Sequence, residues 1–278
     1  MNCGHLFFAQ NTDKVDYVTQ AYAAALTVKI FNKNSSTCLV TNDPVPFNYI
    51  KAFDHIVSIP WGDDAENSTW KIENRWKLIH CSPFDYTLVY DSDVLLLSSN
   101  DHWWQYLTDK SIMLTTSVLD YRGNTIKDTI NRKSFIHNNL PNVYFGVHYF
   151  KKDKSAFEFY KWVEVITKNW KKFYSEHCPL YTQQFPSMDV TSAIACKLLG
   201  VNLQANVLKF THMKSELQSW NVYPNWIDAV LIECNEDLEI KFSNYLQTGV
   251  LHYVDETFLT DYIIEKIEEK YAKMVHIL

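Results

Sequence analysis

The run Tyr86-Thr87-Leu88-Val89-Tyr90-Asp91-Ser92-Asp93-Val94-Leu95-Leu96-Leu97 is apolar on both sides of a pair of carboxylates. Residues 86–90 and 94–97 read as buried strands, being rich in β-branched, aromatic and leucine side chains. One D-x-D tripeptide is expected by chance in a chain with this many aspartates, so the setting carries the information. Two carboxylates between buried strands are costly to desolvate unless a cation compensates them. Mg²⁺ or Mn²⁺ fits that need, because such ions take oxygen ligands from one or two carboxylates and complete their shell with substrate phosphates. The competing explanation is a strand-end turn whose aspartates accept backbone N–H groups.

Upstream, Leu6-Phe7-Phe8-Ala9 is a short apolar strand followed by the polar break Gln10-Asn11-Thr12-Asp13. A helix spans about 15–30, with Tyr22, Ala25, Leu26 and Ile30 at the spacing of one buried face. Strands at 37–41 and 55–59 stop at Asn42-Asp43-Pro44 and at Pro60, and a helix over about 70–81 leads into the acidic run. This alternation predicts an α/β fold with a mainly parallel central sheet and flanking helices, which binds ligands at the carboxyl ends of its strands. Downstream come a strand at 111–118, a long polar connector at 121–139, a strand at 143–150 and an amphipathic helix at 155–173. A helix at 189–199, with Asp189 placed to cap it, precedes a strand-like 207–210, a Trp- and Pro-containing loop at 219–226 and a strand at 250–253. A charged amphipathic helix over 257–274 closes the chain. With no repeat or linker, 1–278 reads as a single domain: a nucleotide half at 1–98, an acceptor and catalytic half at 99–254, and a C-terminal helix at 255–278.

Composition removes several function classes. Six glycines in 278 residues is few against the usual ~7%. No two are spaced for G-x-G-x-x-G or a P-loop, which argues against ordinary Rossmann dehydrogenases, P-loop NTPases and protein kinases. An aromatic content of 15% marks a packed globule, and a net charge of −6 argues against a broad nucleic-acid face. Of 26 basic residues only Arg75, Arg122 and Arg132 are Arg, and their forked guanidinium groups suit carboxylate and phosphate. The six cysteines form no C-x-x-C pair, so neither a zinc ribbon nor a redox motif is indicated. Scattered thiols without a leader-like N-terminus predict a cytoplasmic location, and no stretch reaches the ~18 apolar residues of a membrane span. Trp103, Trp104, Trp220 and Trp226 are candidates for stacking on sugars, although nine Trp must mostly serve the core.

Two enzyme classes place D-x-D on such a strand. Haloacid-dehalogenase-type phosphatases follow it with a G-D-x-x-x-D-like element, but here Gly62-Asp63-Asp64 precedes it. The other class rests on an ordered series: Ala9-Gln10-Asn11-Thr12 after the first strand, Tyr17 opening a helix, Arg75-Trp76-Lys77-Leu78, and Tyr90-Asp91-Ser92-Asp93-Val94. It continues with Tyr144-Phe145-Gly146-Val147, Asp189 at a helix start and Leu251-His252-Tyr253. This series resembles the retaining GT-A glycosyltransferase family that includes glycogenin and bacterial lipooligosaccharide galactosyltransferases, across about residues 6–253. Two features depart from it. The family's Asn before Gly-Val is missing, leaving Asn142 as a displaced candidate for acceptor contacts. The glycine and K-P-W that follow the late His are also absent, and Lys214 stands as the substitute cation for the diphosphate.

The resemblance implies a site. Asp91, Asp93 and His252 would hold Mn²⁺ or Mg²⁺, with His212 a weaker ligand candidate. Arg75 would lie near the donor sugar and the D-x-D carboxylates, the alternative being an exposed helical Arg. Asp189 would lie beside the reacting sugar, alone or together with a capping role. Ala9, Asn11, Thr12, Tyr17, Asn42, Asp43 and Ser92 would line the nucleotide, although ordinary turn chemistry explains most of them equally. The connector 121–139, carrying Arg122 and Arg132, is either an acceptor lid or a surface loop. The expected activity is metal-dependent transfer of a hexose from a nucleotide sugar, UDP-linked, with retention. The acceptor, a saccharide, lipid, protein or modified nucleobase, is left open. The alternatives are a nucleotidyltransferase, whose Gly-rich basic N-terminal loop is lacking, and a non-catalytic nucleotide-sugar-binding or assembly protein; on either reading the C-terminal helix packs on the domain or carries a partner.

Overall fold

A computed structural model describes residues 1–32, 34–68, 71–126, 132–203, 207–213 and 226–277. The elements run β1 (Cys3–Phe8), α1 (Tyr17–Phe31), β2 (Ser36–Val40), β3 (His55–Val57), α2 (Leu78–Cys81), β4 (Tyr86–Tyr90), β5 (Val94–Leu96), α3 (Trp104–Leu107) and β6 (Ile112–Thr115). They continue with α4 (Lys133–Asn138), β7 (Tyr144–Lys151), α5 (Lys154–Lys168), α6 (Trp170–His177), α7 (Met188–Leu199), β8 (Phe210–His212), β9 (Ile232–Cys234), β10 (Ile240–Phe242), β11 (Tyr245–Leu246), β12 (Val250–His252) and α8 (Asp261–Ile277).

The main sheet has the order β3-β2-β1-β4-β7-β6. β3, β2, β1 and β4 are parallel, and β7 runs antiparallel to both β4 and β6. Alternation along the strands sends Phe7, Leu39 and Leu88 to one face and Leu6, Phe8 and Val89 to the other, so both faces are buried, as parallel strands require. α1 starts at the Asp16 cap, whose carboxylate accepts the Thr19 N–H, and it is buried on nearly every side. The run Ala23-Ala24-Ala25 lets it fit between the main sheet, β5 and α8. On the opposite face α5 and α7 pack through Phe159, Val163, Ala193 and Ile194.

A second sheet, β5-β12-β8, lies beside the first. β12 is antiparallel to β5 and parallel to β8, which sets His252 opposite both Val94 and His212. A third, antiparallel sheet, β11-β10-β9, completes the fold.

Several expectations from sequence are corrected. The helix expected over 70–81 is a 3₁₀ turn, Arg75–Lys77, followed by the single turn of α2, because Lys71 has a left-handed φ of 52° and the Asn74 side chain bonds to neighbouring loops. The helix expected over 155–173 divides at Asn169 into α5 and α6. The polar connector contains α4. The closing helix begins only at Asp261, after a 3₁₀ turn at Glu256–Phe258. Ser187, not Asp189, caps α7, its hydroxyl accepting the Val190 N–H. β9, β10 and β11 fall where no strand was expected. Of the Trp-containing loop only Trp226 is described; it is buried, as is Trp103.

Candidate active site

β4 ends at Tyr90 in the main sheet and β5 begins at Val94 in the second, so Asp91-Ser92-Asp93 crosses from one sheet to the other. Backbone bonds fix the crossing: the Asp91 N–H donates to Gly146 O of β7 at 2.8 Å, and the Tyr253 N–H donates to Asp93 O at 3.2 Å. Because β12 pairs with β5, His252 is carried to the aspartates. One ligand atom from each of Asp91, Asp93 and His252 lies within 4.8 Å of the others. His252 Nε2 is 3.1 Å from Asp93 Oδ1, while its Nδ1 is buried without a hydrogen-bond partner. Arg75 Nη1 forms an ion pair with Asp91 Oδ1 at 3.2 Å, and its guanidinium lies 4.9 Å from the centre of the Phe8 ring.

The surroundings are shaped to this cluster. A Cβ on Gly146 would stand 2.8 Å from Asp91 Oδ2 and 3.1 Å from the His252 ring, so only glycine lets β7 approach. The turn that carries Arg75 is held by polar bonds of its neighbours. Gln10 Nε2 donates to Asp63 at 2.8 Å, Asn74 Nδ2 donates to Gln10 at 3.0 Å, and the buried Lys77 ammonium donates to Gly62 O at 2.7 Å. Burial pushes the Asp91 carboxyl up against the pull of Arg75, and repulsion from Asp93 and Asp189 adds to the rise. At Asp93 burial also pushes up, but the charge and hydrogen bond of His252 prevail and the carboxyl is held below its ordinary value. Burial alone would lower His252, yet Asp93, Asp91 and Asp189 together raise it. Two carboxylates and an imidazole whose ligand atoms converge are a donor set that suits a divalent ion with oxygen and nitrogen ligands.

Two cavities open from the cluster. The larger, about 480 Å³, is lined by Arg75, Asp91 and His252 together with Arg132, Tyr144, Gly146, Asp189 and His212. The smaller, about 160 Å³, is lined by Gln10, Tyr17, Lys71, Arg75 and all of Asp91-Ser92-Asp93. Asp189, freed from capping, has Oδ1 on the Phe145 N–H at 2.8 Å and Oδ2 on Arg132 Nη1 at 2.6 Å.

The structure thus brings together Arg75, Asp91, Ser92, Asp93, Tyr17, Asp189 and His252 around two adjoining cavities. It places the other sequence candidates differently. Ala9 is fully buried and its N–H pairs with Val40 O at 3.0 Å. Asp43 accepts the Asn11 N–H at 2.7 Å, Asn11 Oδ1 accepts the Val18 N–H at 3.0 Å, and Thr12 Oγ1 accepts the Val15 N–H at 3.1 Å. Asn42 Oδ1 accepts the Ile59 N–H at 2.9 Å. These four stand at the carboxyl ends of β1 and β2, but their oxygens are engaged in holding the loops, and none lines either cavity. Lys214 lies outside the described residues. Asn142 accepts Arg132 Nε at 2.6 Å. Sequence reasoning did not single out Gln10, Lys71 or Gly146 for the cavities, and it noticed Arg132 only as a member of the connector. The scarcity of Arg was the one signal that pointed toward it.

No protein-family model matches the chain, and no curated protein matches it in sequence. Solved structures do match. The galactosyltransferase LgtC in complex with donor and acceptor sugar analogues superposes with a TM-score of 0.53 at 15% identity, over 97% of this chain and 95% of that one. An active-site mutant of LgtC gives 0.55 at 14% identity over the same shares. Mouse xyloside xylosyltransferase 1 gives 0.54 at 9% identity, over 91% of this chain and 97% of that one. At such identities the likeness is one of architecture: the chain has the GT-A glycosyltransferase fold.

Proposed function

We propose that the protein is a metal-dependent glycosyltransferase that moves a hexose from a nucleoside diphosphate sugar, UDP-linked, to an acceptor, with retention at the anomeric carbon. The observation that carries this reading is the convergence of Asp91, Asp93 and His252 beside Arg75, where two cavities meet. It is supported by the fold shared with LgtC and the xylosyltransferase. The nucleotide belongs to residues 1–98 and the smaller cavity, where Tyr17 and Ser92 border it; the sugar and acceptor belong to residues 99–254 and the larger cavity.

Asp91, Asp93 and His252 would hold Mn²⁺ or Mg²⁺, which when bound acts as a Lewis acid on the leaving diphosphate. Arg75, ion-paired with Asp91, adds a positive charge to the lining of both cavities and keeps the Asp91 carboxylate oriented. Asp189 presents a fixed carboxylate to the sugar hydroxyls. No described helix is long and apolar enough to cross a membrane.

The experiment is a thermal-shift screen of nucleotide sugars with and without Mn²⁺, followed by mass analysis of products. UDP-hexoses are expected to raise the melting temperature only with metal, and Asp91→Ala and Asp93→Ala are expected to abolish that rise. Stabilisation and hydrolysis of donor that survive both substitutions would dismiss the metal assignment. Formation of a nucleotide sugar from a sugar phosphate would instead identify a nucleotidyltransferase, and binding without turnover an assembly protein.

A further inference from the structure

Arg132 lines the larger cavity with all three guanidinium nitrogens engaged. It is 6% exposed, and its guanidinium lies between the rings of Phe135 and Tyr144, at 3.8 and 4.1 Å from their centres. Its Nε donates to Asn142 Oδ1 at 2.6 Å, Nη1 to Asp189 Oδ2 at 2.6 Å, and Nη2 to the Val143 carbonyl. One side chain therefore ties the start of α4, the approach to β7 and the first turn of α7.

The pair joins these elements, but α7 has other supports. α7 is already capped by Ser187 and packed through Val190, Ala193 and Ile194. Apolar residues could join the same elements without taking two charges out of water. What the pair does provide is orientation. Each Asp189 oxygen has one fixed donor, Arg132 on one and the Phe145 N–H on the other, so the remaining lone pairs have set directions. Arg132 and Asp189 both line the cavity. A guanidinium with five N–H donors, three of them engaged, beside a carboxylate with free lone pairs offers donors and acceptors side by side. That pattern matches neighbouring sugar hydroxyls, each of which both donates and accepts. Each carboxylate has a different partner: Asp189 pairs with Arg132, Asp91 with Arg75 and Asp93 with His252.

We propose that Arg132 is a positioning residue that locks the Asp189 carboxylate against β7 and so forms the subsite for the hydroxyls of the transferred hexose. This rests on the glycosyltransferase reading and adds to it the residue that sets the direction of the Asp189 carboxylate.

The test is calorimetric binding of UDP, UDP-glucose and UDP-galactose in Mn²⁺ to the unmodified protein, Arg132→Met, Arg132→Lys, Asp189→Asn and the double variant Arg132→Met/Asp189→Asn. Affinity for UDP is expected to be the same in all of them. The extra affinity contributed by the preferred hexose should fall by about tenfold or more in Arg132→Met and in Asp189→Asn, the scale of one hydrogen bond to a charged group. It should be no lower in the double variant than in Asp189→Asn, and Arg132→Lys should restore part of it. Should Arg132→Met not fold, Asn142→Ala, which removes only the partner of Nε, is expected to lower the same sugar-dependent increment by a smaller factor. An increment that persists in Arg132→Met or is untouched by Asn142→Ala, or losses that add in the double variant, overturns the inference and leaves the glycosyltransferase reading standing. An unmodified protein that binds UDP with no gain from either sugar also overturns the inference alone. If it binds neither UDP nor UDP-sugar, both fall.

Discussion

Three buried histidines distinguish the interior of the main sheet from the junction between the sheets. His5 and His148, on β1 and β7, are fully buried, and burial pushes both down to about 3. His5 stacks on Tyr90 and has no hydrogen-bond partner for either nitrogen; His148 bonds Phe145 O and the Tyr160 hydroxyl. His252, 7% exposed, shifts the opposite way because carboxylates surround it. The interior tolerates imidazole as a neutral ring, whereas the junction gathers carboxylates around one. Charge assembled at a cost to stability is a mark of a working site.

The largest expected effect acts on the interior. His5 and His148 are neutral in the fold but take up protons in the unfolded chain below its ordinary value of about 6.5. Their contribution is therefore intact above that pH and is lost as pH falls toward 3, by up to about 1.4 kcal/mol per pH unit for each. Urea unfolding between pH 7 and 4 should show this loss, and His5→Phe, which keeps the stacking, should flatten it. A variant with an unchanged acid slope would remove His5 from the account.

Next is the junction itself. Asp93→Asn should weaken Mn²⁺ binding on the order of a hundredfold, read by titration calorimetry, with stability near neutral pH little changed. Unaltered metal affinity would mean that the cluster is only an ion-pair network. Gly146→Ala changes no polar atom, yet its new methyl would meet Asp91 and His252. A fall of about tenfold in Mn²⁺ affinity is expected, comparable with loss of a supporting contact around a metal. The smallest effect belongs to the loops after β1 and β2. Asp43→Ala removes the acceptor for the Asn11 N–H and should cost about 1 kcal/mol of stability, seen in the denaturation midpoint, with Mn²⁺ affinity unchanged.

Much of this contrast was legible in the sequence. Apolar runs on both sides of Asp91-Ser92-Asp93 marked carboxylates that would be costly to bury without a cation, and the late strand carrying His252 lay where it was expected. Local patterns were less informative where long-range contacts decide. Strand direction is not written in hydrophobicity, so the antiparallel course of β7 was invisible. β9 to β11 are short strands whose pairing depends on one another. Asp189 looked like a cap because it stands near a helix start, yet Ser187, two residues earlier, takes that role and releases it. Arg132 was seen as a rare residue, but its partners at 142, 143 and 189 meet it only after α4 and β7 are in place. Asn11, Thr12, Asn42 and Asp43 were ambiguous for the opposite reason: the residue types that suit a nucleotide also satisfy a turn.

The crossing of Asp91-Ser92-Asp93 between two sheets has a consequence for biosynthesis. The aspartates emerge early, but β5 has no sheet until β12 arrives from near the end of the chain, bringing His252 with it. A ribosome-bound chain that stops short of β12 carries both carboxylates and no complete cluster. On the metal reading, the ion's binding energy would favour only chains that have reached β12, so metal supply during synthesis would leave earlier intermediates unaffected.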